Sequence, residues 1–481
     1  MLFVATGASF AEAQEPAPSS ATPSPTSAPA PVGPNFEERL DEIDQRSRIA
    51  LRKLEMAEEA AAAQAAKEKE RAAKDKERAN VKIGPSGLSI SSADGAYSVA
   101  LRAILQVDGR IFVNDEHKLT DAFIIRRARP IFDATMGKNF TVRIMPDFGG
   151  GQTVLQDAYI DARAANEFGV TVGKFKPTIG LERMQNEQAT YFVERGYPSS
   201  IIPSRDVGIA IHGDLFEGKL GYSVGMYNGT LDGGAGGDIE FDDSKEFSAH
   251  VYVRPFATQA RFTRPKFVSG LFIGVGATRG EKTGTPANTY LPVYRTSGQN
   301  TFFQYIADTS AGAPAGATTV AAGVENRLTG HIYAPIGPVA FLGEYVIEQE
   351  RVARGTVSKL ITLQAWNVTA AVALTGEDAR FEGIVPKNPF DLTKGHVGAI
   401  ELAARYSGMI IDRDAFGDFA NDQRSARYAA EFGAGLNWYA TRNYSVKGDY
   451  IITEFRSGGA TAAGGRRDLE QVFLLRNQIA F

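Results

Sequence analysis

Three arginines stand within four positions of one short run, IIRRARPIF: Arg126, Arg127 and Arg129. Guanidinium groups this close can hold one oxyanion together, because each offers a planar fork of donors that matches phosphate or carboxylate geometry. On a strand, Arg127 and Arg129 point one way and Arg126 the other, so the three share a face only if a bulge or a strand end rotates the run. The alternative reading is a basic girdle at a membrane interface, where arginine is tolerated. The absence of Cys removes disulfide scaffolds, thiolate zinc sites, iron–sulfur clusters and Cys nucleophiles. His117, His212, His250, His331 and His396 are scattered, with no two at metal-ligand spacing. Asp412, Asp414 and Gly417 resemble a calcium loop, but Gln423 occupies the position that needs a bidentate Glu. The glycine-rich run 233–237 lacks the strand-then-helix context of a phosphate cradle. Neither an enzyme nor a cofactor is expected.

Those arginines need elements to position them. The chain has 481 residues, 43% apolar and 22% charged, with 50 Gly, 22 Pro and a formal net charge of −4. The near-neutral charge argues against a nucleic-acid partner. Beyond residue 14 no apolar run is long enough for a membrane-spanning helix. A mean hydropathy of −0.19 still permits a barrel, because alternation hides an apolar face from any average.

Four segments follow one another. Residues 1–14 are apolar and end in small residues, with Ala11 and Ala13 placed as in a secretory cleavage signal, although no basic stretch precedes them. Residues 15–35 are a Pro-, Ala- and Ser-rich spacer. Residues 36–80 hold no Gly or Pro and are rich in strong helix formers. Their seam, Phe36, Leu40, Ile43, Ser47, Ala50, Leu54, Ala57 and Ala61, repeats as in a coiled coil until Gln64 and Glu68 break it. A single solvated helix held by Glu–Lys pairs is the other reading.

From residue 81 to 481 the period becomes two. Ala249, Val251 and Val253 alternate with Ser248, His250 and Tyr252; Leu220, Tyr222, Val224 and Met226 alternate with glycine and polar residues; Phe341, Gly343, Tyr345 and Ile347 alternate with Leu342, Glu344 and Glu348. One apolar, aromatic face and one polar face describe a transmembrane antiparallel β-barrel with a water-filled lumen, and this length fits about 16 strands. Loops are expected at 229–244 and 283–323. In the last strand Phe473, Leu475, Ile479 and Phe481 share one face, while Arg476 and Gln478 lie on the other. That apolar face with its aromatic end is the usual finish of an outer-membrane barrel, and closure is expected against Val99 to Val107.

Of 52 basic and 56 acidic residues, 11 and 14 lie in residues 1–80, leaving 41 and 42 in the barrel. The barrel is not globally cationic, so any anion preference must come from a local basic cluster.

An ordered series of segments resembles one family, the phosphate-selective porins O and P. Its carriers are LRAILQVDGR (101–110), IRRAR (125–129), LQDAYID (155–161), VGKFKPTIGLERM (172–184), ALTGEDARF (373–381), ELAARY (401–406), LNWYATRNYSVKGDY (436–450) and the terminal LLRNQIAF. The resemblance implies trimers of 16-stranded barrels with inward loops forming a narrow basic passage. Carried over by position, Arg126 and Arg127 match the family's paired arginines and Arg183 its constriction lysine, while Arg129 and Lys176 add positive charge where the family usually has none. Ile104 stands for another of its arginines, Gln156 for the acid beside the cluster, with Asp157 adjacent, and only Arg295 remains of an outer-loop arginine run. The expectation is an outer-membrane porin for inorganic phosphate or other small anions, embedded in outer-membrane lipid as a homotrimer. Its helix would lie in the periplasm and touch the cell wall. The rivals are a general porin without phosphate specificity, a structural anchor acting through the helix, and a barrel enzyme, for which no Ser–His or Asp–His constellation is evident.

Overall fold

The computed structural model describes residues 35–77, 79–116, 118–231, 233, 242–257, 270–308, 310, 313, 314, 316–456 and 467–481. The signal-like segment and all of the spacer except Asn35 lie outside the described residues. The chain divides into two units at Lys74 and Asp75.

The first unit is almost all helix. Helix α1 (Phe36–Glu77) runs for 42 residues, about 63 Å at 1.5 Å per residue. It starts on a reciprocal cap, in which Phe36 N donates to Asn35 Oδ1 (2.9 Å) and Asn35 N donates to Glu38 Oε2 (3.1 Å). Ion pairs one turn apart, such as Arg48–Asp44 (2.9 Å) and Arg52–Glu55 (2.9 Å), support its solvated face. The seam residues Phe36, Leu40, Ile43 and Leu54 are exposed on the single chain. The helix ends at Glu77, three residues before the expected boundary, and strand β1 (Asn80–Gly84) begins at once.

In the second unit β1 forms a hairpin with β2 (Gly87–Ser91). Among the described residues, sixteen long strands then close a barrel. They are β3 (Tyr97–Phe112), β4 (Ala122–Met136), β5 (Phe140–Asp147), β6 (Val154–Ala165), β7 (Phe168–Phe175), β8 (Asp206–Leu215), β9 (Leu220–Tyr227), β10 (Glu246–Val253) and β11 (Phe272–Thr283). A small inward hairpin, β12 (Val293–Arg295) and β13 (Thr301–Gln304), interrupts the series. It resumes with β14 (Val320–Ile336), β15 (Val339–Arg354), β16 (Val357–Ala373), β17 (Ala399–Ile411), β18 (Tyr428–Tyr439), β19 (Tyr444–Arg456) and β20 (Glu470–Ala480). Each pairs antiparallel with its neighbour, and β20 returns to β3. No edge is left open, which is the condition for strands to stand in hydrocarbon.

The closing register differs from the expected one. Strand β20 pairs with Ile104 to Phe112, and Phe481 exchanges both backbone hydrogen bonds with Ala103 (2.9 and 3.0 Å). Residues 98–101 of that same edge are already taken by β2, which moves the seam up the strand.

The alternation reads as expected. Val224, Val251, Val253, Phe341, Tyr345, Phe473 and Ile479 are exposed on the outer face, whereas Ser248, His250, Glu344, Glu348, Arg476 and Gln478 are buried inside. Outward aromatics gather at two levels: Trp366, Tyr406, Tyr428 and Phe432 in one group, and Phe390, Trp438 and Tyr444 in the other. Aromatic clusters toward both ends of an apolar outer face suit a membrane-spanning barrel. No helix among the described residues is long and apolar enough to cross a membrane.

Much of the inside is filled. The 176–205 connection folds inward and packs Ile179, Tyr197, Ile201 and Ile202 against Tyr294, Phe302 and Phe303 of the β12–β13 region and against wall residues such as Val346 and Ile361.

Candidate functional site

The site begins with two bulges. The β3–β4 register shifts between Gln106 and Val107, so Gln106 faces Arg127, Val107 faces Ile125, and Arg126 is the extra residue. The shift brings Arg126 and Arg127 to the same side, and Arg129 follows by alternation; Arg127 and Arg129 are 7% and 6% exposed. The bulge needs a glycine beside it, since a Cβ on Gly149 would lie 2.8 Å from Arg126 O and Arg127 Cα. A second shift, between Met145 and Pro146, skips Gln156 and sets Asp157 opposite Met145.

Basic residues therefore line the β3–β5 wall at several heights. Arg102 and Arg143 both pair with Asp133 near the start of β3, the latter at 2.7 Å. Arg129, Arg127, Arg126 and Arg110 follow along the wall; from Arg102 to Arg110 the strand rises roughly 26 Å at 3.3 Å per residue. Ile104 interrupts this file with a small apolar patch made with Ile131 and Met145.

The loop 176–205 packs across from this wall, and side chains of many strands satisfy its backbone. Leu181 N donates to Glu344 Oε1 (2.8 Å), Val193 N to Asp449 Oδ2 (2.6 Å) and Tyr197 N to Ser407 Oγ (3.0 Å). Asn437 Nδ2 donates to Tyr191 O (2.9 Å), Arg327 Nε to Ile201 O (2.9 Å) and Arg405 Nη1 to Glu194 O (2.6 Å). A long inward loop would otherwise leave buried amides and carbonyls unpaired, so these polar wall residues are a condition for its fold.

At the loop's centre stands Glu187. Its Oε1 lies 3.2 Å from Lys176 Nζ, 3.3 Å from Arg205 Nη2, 3.4 Å from Arg129 Nη1 and 3.9 Å from Arg195 Nη2. Burial alone would raise this carboxyl, but Lys176, Arg205, Arg195 and Arg129 outweigh it and hold it well below the usual carboxylate range. Because the folded value is depressed, the contact is complete above the ordinary value of 4.5 and is lost only as pH falls through the lowered one. Nearby, Arg126 Nε pairs with Glu194 Oε1 (2.8 Å), Arg129 Nε with Asp147 Oδ2 (2.7 Å), and Arg205 Nε with Asp157 Oδ1 (2.8 Å). Arg127 Nη1 donates to Gln106 Oε1 (2.6 Å).

All five basic residues singled out from the sequence meet this loop or the wall beside it. Arg126, Arg127 and Arg129 sit on β4, and Lys176 stands at the loop's start. Arg183, in the single turn α2 (Leu181–Met184), donates to the Ser199 carbonyl and so ties one limb of the loop to the other. Spacing alone did not single out Arg195, Arg205, Glu187 and Glu194. The signal for them was available in part: residues 176–205 break the alternation between two strands and include Pro177, Pro198 and Pro203, yet carry too many apolar residues for a solvated loop. Of the expected loops, 229–244 falls largely outside the described residues, and 283–323 contains the inward hairpin.

The opposite wall is acidic. Arg327 is enclosed by Glu246 (3.1 Å), Glu325 (2.7 Å) and Glu348 (3.4 Å), and Lys282 also pairs with Glu325 (2.7 Å). Carboxylate oxygens of Glu325, Glu348 and Glu350 lie within 4.8 Å of one another. The histidines are less scattered than the sequence implies: His250 and His331 approach at 3.1 Å through Nε2, and His212 Nε2 lies 2.7 Å from Asp161. The Asp412 region is a capped turn in which Asp412 Oδ1 accepts from Asp414 N (3.0 Å).

Below the loop lies a cavity of about 920 Å³, reaching the barrel end that carries the 440–443 turn. Lys176, Glu187 and Arg205 form part of its wall, with Arg102 and Arg143 further down. The phosphate-selective porin O and P family model matches residues 101–478, most of the barrel and both sides of this site. The chain belongs to that family. It is an outer-membrane β-barrel porin.

The solved structures it is similar to match at low identity. OmpT of Vibrio cholerae is 10% identical over 80% of this chain and 98% of its own, with a TM-score of 0.49; another OmpT structure is a trimer form. An anion-selective porin from Comamonas acidovorans is 11% identical over 80% of this chain and 100% of its own, with a TM-score of 0.47. The outer membrane channel DcaP of Acinetobacter baumannii is 10% identical over 80% and 98%, with a TM-score of 0.49. No curated protein sequence matches the porin significantly.

Proposed function

We propose that this porin passes small anions, inorganic phosphate and related oxyanions among them, along the basic wall formed by Arg126, Arg127, Arg129 and Lys176, with Arg183 bracing the loop that narrows it. The observation that carries the reading is a set of guanidinium groups with donors to spare. Arg127 Nε, Arg129 Nη1 and Arg183 Nε are buried without a hydrogen-bond acceptor, Arg129 Nη1 having only its ion pair with Glu187. Buried donors are normally satisfied, so spare ones favour an oxyanion partner; Arg129 Nη1 meets the cavity only through Glu187, which with Lys176 and Arg205 forms part of its wall. Such an ion exchanges hydration water for N–H donors, and it must remain loosely enough held to leave. No covalent step is involved. In planar bilayers with a potassium chloride gradient, the reversal potential is expected to show anion preference, and added phosphate to reduce the chloride current. A cation-selective or non-conducting wild-type barrel would refute the reading; a non-conducting one would favour a structural anchor.

The porin is further read as a homotrimer in outer-membrane lipid, with α1 in the periplasm and within reach of the cell wall. The exposed seam of α1 supports association of helices, but it is mostly alanine beyond Leu54. At ~0.8 kcal/mol per buried methylene such a seam cannot hold three chains, so the barrel walls carry assembly. Deleting residues 36–77 is therefore expected to leave trimers in mild detergent. Monomers after that deletion, seen by light scattering, would make the helix the principal oligomerisation element.

A further inference from the structure

Four cations converge on a single carboxylate oxygen in the wall of the cavity, and that oxygen belongs to a loop side chain. Lys176, Arg129, Arg195 and Arg205 all lie within 3.9 Å of Glu187 Oε1. Lys176 comes from the end of β7, Arg129 from β4, and Arg195 and Arg205 from the far limb of the loop, so the group is a cradle assembled by the tertiary fold. A carboxylate presents the same oxygen geometry to guanidinium as other oxyanions do.

The backbone at Glu187 is anchored independently of its side chain. Gln106 Nε2 donates to Glu187 O at 3.3 Å, and Ala189 N closes a turn on Asn186 O at 3.0 Å. The carboxylate can therefore leave by side-chain rotation while the loop stays in place. Glu187, Lys176 and Arg205 all face the cavity, so a solute entering from that end meets the occupied cradle directly.

We propose that Glu187 is a tethered competitor: its carboxylate occupies the anion cradle of Lys176, Arg129, Arg195 and Arg205, and a permeating oxyanion enters by displacing it. The inference rests on the anion-passing reading above and adds the device that sets how tightly the anion is held. Without Glu187, Arg129 and Arg205 keep Asp147 and Asp157, and the remaining charge of Lys176 and Arg195 would hold an oxyanion too firmly for quick release. With Glu187 swinging back, each departing ion is replaced by a carboxylate that restores charge balance.

The test compares wild type with Glu187→Gln and Glu187→Asp in planar bilayers, using inorganic phosphate to block chloride current. If the cradle is vacant about a tenth of the time, removing the competitor lowers the half-blocking phosphate concentration about tenfold. Glu187→Gln is expected to show that shift with longer blocking events. Glu187→Asp, whose shorter arm reaches the cradle less well, should fall between. Unchanged or weaker phosphate block in a folded, anion-selective Glu187→Gln channel overturns the proposal. So does failure of both variants to form heat-modifiable barrels, which would make Glu187 a folding keystone. A wild-type channel without anion preference refutes the underlying reading before Glu187 is tested.

Discussion

Replacing Arg126, Arg127 and Lys176 together with Gln is expected to turn an anion-preferring channel toward cations. Arg126 and Arg127 lie on β4 and Lys176 opens the loop; Arg126 neutralises Glu194, and Lys176 is one of the four cations around Glu187. Gln keeps much of the volume and a hydrogen-bonding tip, so Gln at 127 can still bond Gln106 while losing its charge. Two unit charges 4 Å apart interact by ~4 kcal/mol at an effective dielectric of 20. Removing three cations leaves Glu194 without its partner and Glu187 with Arg129, Arg195 and Arg205, so the local field becomes much less positive. The chloride-to-potassium permeability ratio, taken from the reversal potential, should fall at least about tenfold, since each 1.4 kcal/mol is worth that factor. An unchanged ratio in a heat-modifiable triple variant would remove these residues from the selectivity mechanism.

A Leu105→Cys, Ile479→Cys double variant is expected to crosslink almost completely in the native membrane. Leu105 and Ile479 are register partners across the closing seam, and both are exposed on the outer face. They lie two residues from Ala103 and Phe481, which exchange both backbone hydrogen bonds, so they too form a hydrogen-bonded antiparallel pair with Cα atoms ~5.5 Å apart. That separation suits a disulfide, and the sequence contains no competing cysteine. Val99→Cys with Ile479→Cys should not crosslink, because Val99 is held by Ile90 of the β1–β2 hairpin. The reverse outcome, with Val99 crosslinking and Leu105 silent, would place the seam lower and displace the hairpin from its edge.

The barrel was legible because its signal is local. Period-two alternation sets one face toward lipid and one inward wherever the strand lies in the sheet, so Val251 and His250 could be assigned opposite sides without knowing their neighbours. Strand number followed from length, since an open edge cannot be left in hydrocarbon. The seam register was not legible to the residue, because β2 competes for the same edge and that competition is between segments, not within one.

The proposed anion site divides the same way. Sequence by itself determined the barrel, the helix ahead of it and the family, and it singled out Arg126, Arg127, Arg129, Lys176 and Arg183 as candidates. Alternation alone would have put Arg126 on the opposite face from its two neighbours. Only the tertiary structure decided that a bulge against Gln106 and Val107 turns it to the same side, because the register of two strands depends on both of them. Only the tertiary structure brought Lys176, Arg195 and Arg205 onto Glu187 beside Arg129. Those residues are separated by up to 76 positions, from Arg129 to Arg205. What joins them is a loop whose backbone is held by polar groups on strands much later in the chain, among them Glu344, Ser407, Asn437 and Asp449. Charge convergence over such distances has no local pattern, since it arises from where a buried loop can satisfy its own amides and carbonyls.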